Sequence, residues 1–162
     1  MSLHAGTTVR IREMTGYDVA PMAEALGWPV HGIKRRWSEC LVGHRDMFVA
    51  EVDGVPSGSV SVNEREEFFG YLHLFALDVA PSLQSRGIGT RLIERVEEES
   101  RSRGLGGVYL EVSIENHGAR RLYERLGYEP DGKPFLNSYF RYDEEGTREE
   151  VIETLVRLVK RF

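Results

Sequence analysis

The chain has 162 residues, with 26 acidic side chains against 21 basic ones, a formal net charge of −5 and a pI near 5.6. Apolar residues at 41% and charged residues at 29% exclude a disordered, collagen-like or disulfide-stapled chain. A single cysteine, Cys40, excludes an internal disulfide and points to a reducing, cytoplasmic compartment.

The length suits one domain with a real core. The longest apolar stretch, residues 71–80, is interrupted by His73 and Asp78, so no transmembrane helix and no membrane partner are expected. The N-terminus carries no charged-then-apolar pattern, and no secretory leader is expected. An acidic protein repels a phosphate polyanion, so nucleic acid is not an expected partner, whereas a cationic one is easier to accommodate. Of the 21 basic residues 18 are arginine, spread along the chain as composition and not as a patch.

Residues 8–12 alternate like a short strand. Thr15-Gly16-Tyr17-Asp18 reads as a capping box, followed by Val19, Met22, Ala23 and Leu26 at helical spacing. Gly27-Trp28-Pro29 ends that helix. Residues 32–42 predict a second helix with Ile33, Trp37, Cys40 and Leu41 on one side, Cys40 acting as a small core hydrophobe. Residues 47–52 and 55–62 predict two strands joined by Asp53-Gly54, a pair that tolerates positive φ at both positions of a hairpin turn. The acidic run at residues 64–67 makes the next turn.

Residues 71–79 form the most apolar strand, with His73, Phe75, Leu77 and Val79 on one face and Leu72, Leu74 and Ala76 on the other. A strand without a polar face belongs in the middle of a sheet covered on both sides. A Gly-containing turn at 81–89, a helix stopped at Gly104, a strand at 108–112, a helix at 118–126 and a strand at 136–142 follow. The order is that of an α/β fold, a mixed sheet with helices on its faces. Beyond it, Thr147-Arg148-Glu149-Glu150 reads as a capping box for an extra C-terminal helix. That helix would carry Val151, Ile152, Leu155, Val156, Leu158, Val159 and Phe162. An apolar face so wide must be buried, on its own domain or against a second subunit, with a homodimer contact favoured. The expected division is thus a domain over residues 1–145 and a packed helix over 146–162.

The segment Leu83-Gln84-Ser85-Arg86-Gly87-Ile88-Gly89-Thr90 lies between a buried strand and a helix. Gly87 and Gly89 remove side chains where a backbone approaches a ligand, and a helix N-terminus offers free N–H groups. Turn amides and a helix N-terminus together make an anion-binding concavity. The same pattern also suits a plain strand-to-helix turn. No G-x-x-x-x-G-K-[ST] loop occurs, and Gly104-Leu105-Gly106-Gly107 precedes a strand where a dinucleotide fingerprint would precede a helix. His4, His31 and His44 have no metal-ligand spacing, and no metal is expected.

Gln84-x-x-Gly87-x-Gly89 resembles the [QR]-x-x-G-x-[GA] motif of the GNAT N-acetyltransferase superfamily. Downstream, Asn116 and Tyr123 in the run from Glu115 to Tyr128 resemble that family's N-x₆-Y-[EK]-x-x-G-[FY] segment. The resemblance spans residues 8–142 in element order and is strongest over 71–128.

It implies a GNAT-like fold and acetyl-CoA as acyl donor, with Gln84, Ser85, Arg86, Gly87, Ile88, Gly89 and Thr90 offering amides to the pyrophosphate. Leu77, Asp78 and Val79 would pair with the pantetheine arm through the main chain, the Leu77 amide polarising the thioester carbonyl. Asn116 would hydrogen-bond the pantetheine, or serve as an N-cap, or both. Tyr123 suits a core aromatic by its spacing; the resemblance makes it the acid that protonates the leaving thiolate. His73 suits a satisfied core histidine; the resemblance makes it the base that deprotonates the acceptor. In the family the loop around residues 27–32 and the final hairpin shape the acceptor site.

The function implied is acetyl transfer to a primary amine by direct attack, Cys40 not being placed as a nucleophile. A small-molecule acceptor is favoured by the acidic pI. The alternatives are a protein N-terminal or lysine acetyltransferase, and a non-catalytic acyl-CoA-binding module.

Overall fold

Thr15 closes the expected capping box: its side chain takes the Asp18 N–H while the Asp18 carboxylate accepts from the Thr15 N–H at 2.8 Å. Arg12 locks the same carboxylate with two short bonds of 2.7 and 2.8 Å. From this clamp the chain enters α1 (Val19–Leu26), which Gly27 ends in the left-handed conformation at φ 67°. Pro29 opens α2 (Val30–Leu41). In the computed structural model residues 2–142 and 145–162 are described, and they form two compact units, Met1–Val108 and Tyr109–Phe162.

In the first unit β1 (Val9–Glu13), β2 (Asp46–Val52), β3 (Val55–Glu64) and β4 (Leu72–Val79) pair antiparallel in chain order. Asp53 and Gly54 join β2 to β3 with φ of 49° and 84°, as the dipeptide predicts. Helices α1 and α2 cover one face, where Met22, Ala23, Leu26 and Ile33 pack on Met47 and Val49 of β2. Helix α3 (Ile88–Ser102) covers the other: Leu92 approaches Gly58, and the Arg95 guanidinium lies 4.2 Å from the Phe48 ring centre. Cys40 is a part-buried neighbour of the α1–α2 cluster, and burial pushes its thiol up to about 11. That is core behaviour, as expected.

β4 departs from regular pairing at one point. Between the pairs Ser61↔Phe75 and Ser59↔Asp78, β3 advances two residues while β4 advances three. The extra residue is a β-bulge, and Ala76 takes φ 50° there. The bulge resets the alternation, so Asp78 joins His73 and Phe75 on the α1–α2 face, and Val79 pairs with Gly58 on the α3 side. The sequence-based faces, with Leu77 and Val79 beside His73, hold only as far as Phe75. Burial changes at the same point: Leu72, His73 and Leu74 are buried, but Phe75–Val79 are each part-exposed, so the far end of the strand is not covered on both sides.

The second unit comprises most of β5 (Gly107–Ser113), α4 (His117–Arg125), β6 (Glu129–Pro130), β7 (Phe135–Tyr142) and β8 (Arg148–Arg161). Here the expected C-terminal helix is a 14-residue strand. It lies between β5 and β6, and its first half pairs with β7 from Tyr142↔Arg148 to Phe135↔Leu155. Leu155 and Val159 are buried on one face of β8, Val156 and Leu158 on the other. Apolar pairs separated by one arginine imitate the i, i+3, i+4 spacing of a helix, yet they also fit a central strand with two covered faces. Val151, Ile152, Thr154, Val156 and Val159 are β-branched, which favours the strand. Much of the apolar set that suggested a subunit contact is buried within the chain, while Ile152 and Phe162 stay exposed at 64% and 45%.

Leu158→Ala, at 0% exposure, is expected to cost about 3 kcal/mol of unfolding free energy, and Ile152→Ala, at 64% exposure, less than about 1 kcal/mol. Urea denaturation of the two variants checks the contrast.

Candidate active site

Directly after β4, Pro81–Leu83 makes a single 3-10 turn and the chain doubles back into α3. Two residues take the left-handed region here, Ser85 at φ 59° and Gly87 at φ 85°, Gly87 forming the N-cap of α3. Gly87 satisfies its conformation at no steric cost, while Ser85 is held there against a modest penalty. The Gln84 side chain ties the turn back to the strand by donating to the Val79 carbonyl at 3.1 Å. Ile88 is fully buried and anchors the helix, leaving Gln84, Ser85 and Gly87 exposed around its first turn. A Cβ built on Gly89 meets nothing within 4 Å. The structure thus brings Gln84, Ser85, Arg86, Gly87, Ile88, Gly89 and Thr90 together as one exposed amide-rich turn opening a 15-residue helix, adjoining Leu77, Asp78 and Val79. Such a turn presents backbone donors and the positive end of a helix dipole to an anion.

His73 is buried on β4, at 3% exposure. Its Nδ1 lies 3.1 Å from the Asn63 Oδ1, and its ring stacks on Phe75 at 5.0 Å with 13° between planes. Since the Asn63 oxygen only accepts, Nδ1 is the donor in this contact. Asn63 is itself oriented by donating to the His44 carbonyl at 3.4 Å. This second residue, which sequence reasoning missed, orients the ring.

Asp78 and Arg36 were likewise invisible as a pair. Arg36 Nη1 reaches Asp78 Oδ2 at 3.5 Å, and its guanidinium lies 4.4 Å from the Trp28 ring centre. Burial raises the Asp78 carboxyl above its ordinary range despite Arg36, and burial likewise lowers Arg36 despite Asp78. Neither partner fully compensates the other. The contact spans 42 residues of sequence and depends on the bulge, so no local signal announces it.

Two further residues singled out from the sequence belong to the second unit. Asn116 is the N-cap of α4, its Oδ1 accepting from the Ala119 N–H at 3.2 Å. Tyr123 is buried on α4, packed edge-on against Tyr128 with ring centres 5.7 Å apart. Among the described residues no group of three or more His, Cys, Asp or Glu is arranged to hold a metal ion, and no helix is long and apolar enough to cross a membrane.

Residues 16–128 match the family model described as "Acetyltransferase (GNAT) family". An uncharacterized N-acetyltransferase from Methanocaldococcus jannaschii is 34% identical over 173 residues, covering 95% of this chain and 67% of the relative. The chain spans half or less of the other curated relatives that follow it. Among solved structures, the ribosomal-protein-S18-alanine N-acetyltransferase of Escherichia coli superposes with TM-score 0.69 at 18% identity, over 95% of this chain and 94% of its own. A Salmonella typhimurium structure containing acetyl-CoA as its cofactor superposes with TM-score 0.66 at 19% identity, over 94% and 93%. These likenesses bear out the mixed α/β fold read from the motifs.

The N-cap role of Asn116 has its own test. Asn116→Ala is expected to cost about 1 kcal/mol of stability and Asn116→Asp to restore it, as measured by thermal unfolding.

Proposed function

Because the chain belongs to the GNAT acetyltransferase family, we propose that it carries an acetyl group from acetyl-CoA to a primary amine by direct attack. The observation that carries this reading is the Gln84–Thr90 turn, whose left-handed Gly87 and open Gly89 leave backbone amides free of side-chain cover beside the part-exposed end of β4. That cradle fits a pyrophosphate, and the main chain of Leu77, Asp78 and Val79 fits an extended arm running along the strand. When bound, acetyl-CoA supplies the thioester carbonyl. The Leu77 amide is assigned to polarise it.

Two side chains are assigned proton transfers. His73, with Nδ1 committed to Asn63, takes the acceptor's ammonium proton at Nε2, directly or through water. Tyr123 gives its phenolic proton to the departing thiolate. The acceptor is read as a small-molecule amine. A protein α-amine is the second reading, favoured by the name of the Escherichia coli structural neighbour.

Calorimetric titration with acetyl-CoA and a thiol-release assay test the scheme. Gly89→Ala should fold normally, since its Cβ meets no protein atom, and yet bind acetyl-CoA about tenfold more weakly by crowding the cradle. It is a cleaner probe than Gly87→Val, which is strained at φ 85° whether or not ligand binds. Tyr123→Phe should lower kcat by about 100-fold with acetyl-CoA affinity nearly unchanged. Equal loss of both would make Tyr123 a structural residue.

A further inference from the structure

The ion pairs of the first unit are not equally well matched. Arg12 holds Asp18 with bonds of 2.7 and 2.8 Å, and Arg103 holds Asp46 at 2.7 Å and Glu99 at 3.0 Å. The Arg36–Asp78 pair has a single contact at 3.5 Å, and both side chains are part-buried. Each keeps hydrogen-bonding capacity that no protein group takes up: Asp78 has a second carboxylate oxygen, and Arg36 has four more N–H donors.

The floor beside this pair shows the same shortfall. Ser59 and Ser61 point from β3 toward the helices, and they and the nearby Ser57 are buried at 0%, 0% and 3% exposure. Ser57 Oγ donates to the Val55 carbonyl at 2.9 Å, and Ser61 Oγ accepts from Arg45 at 3.0 Å. Ser59, the residue in register with Asp78, has a buried hydroxyl with no partner. A part-buried ion pair with one long contact, open to solvent beside a buried orphan hydroxyl, leaves polar capacity on one face for an outside group to complete.

We propose that Arg36 and Asp78 form a receptor for an acceptor that carries an ammonium and a carboxylate together, a free α-amino acid or a molecule ending in one. The carboxylate lies on the Arg36 fork, whose planar donors match it and whose other side is fixed by Trp28. The ammonium lies against Asp78, on the β4 face that also holds His73. A purely cationic amine would satisfy Asp78 but crowd the Arg36 charge, so the pair selects for a zwitterion. The proposal rests on the acetyltransferase reading, which makes β4 the strand that meets the acyl donor.

The test uses the full chain. Acetyl-CoA binding is measured first by calorimetry, and thiol release is then followed with individual free L-amino acids, their α-carboxamides and spermidine. A free amino acid should be acetylated with kcat/KM at least about tenfold above its carboxamide and above spermidine. Arg36→Met should collapse that ratio toward one, and Arg36→Lys should restore part of it. Equal or better use of carboxamides or spermidine, with acetyl-CoA bound, overturns the receptor and leaves the acetyltransferase reading standing. Absence of acetyl-CoA binding overturns both. Should acetyl-CoA bind while no amine turns over, Trp28 fluorescence in a Trp37→Phe background is titrated with the same amino acids. A saturable change with the free acid and none with its carboxamide supports the receptor, and no change with any free acid overturns it.

Discussion

The bulge in β4 is the constraint from which the first unit's chemistry follows. A regular strand would alternate through Phe75, Leu77 and Val79, leaving an apolar face under α1 and α2 and Asp78 on the side of α3. One extra residue, absorbed by Ala76 at φ 50°, exchanges these. A non-glycine residue in that region costs of order 1 kcal/mol and persists only where the surroundings determine it. Here the surroundings are the β3 ladder on both sides of the bulge, the Ala80 N–H bonded to the Ser57 carbonyl at 2.7 Å, and Gln84 fastened to Val79. The same displacement brings His73, Phe75 and Asp78 onto one face and feeds the chain into the turn that opens α3.

Legibility in the sequence followed the range of the interaction. Thr15 and Asp18, Asp53 and Gly54, Gly27, and Asn116 with Ala119 each act over a few residues, and each stands as the local pattern predicts. The turn at Gln84–Thr90 was legible for the same reason, because a left-handed N-cap needs a glycine and a buried anchor next to it. The bulge carried no such mark: the residue at positive φ is alanine, and the partner that forces it lies on another strand. Arg36 with Asp78 and Asn63 with His73 were hidden for the same cause.

The last strand failed differently. Its apolar residues come in pairs because both faces of β8 are covered, and paired apolar residues satisfy a helical template as well as a two-sided strand. What separated the two was β-branching, a weak preference that sheet neighbours amplify. Arg157 completes the disguise. It sits where a helix would show a solvated cation, but its guanidinium lies 5.7 Å from the Tyr109 ring centre and 5.8 Å from that of Phe135, paired to Glu111 at 3.2 Å. Only partners from β5 and β7 make that arginine intelligible.

Arginine is abundant throughout the chain, and the contrast among these side chains is informative. Arg12 ties β1 to the capping box and to Glu51, and Arg103 gathers Asp46, Glu64 and Glu99 at the end of α3. In each case several short contacts repay the removal of charge from water. Arg45 follows the same rule, pairing with Glu39, bonding Ser61 and lying over Phe75. Arg36 is the exception among these four, more desolvated than its one carboxylate contact offsets. Replacing this pair with apolar residues of similar volume would cost the fold little, since a poorly matched ion pair out of water is commonly no better than a hydrophobic contact. Its place beside an orphan hydroxyl, at the end of the strand that meets the amide-rich turn, fits a role in holding something outside the chain.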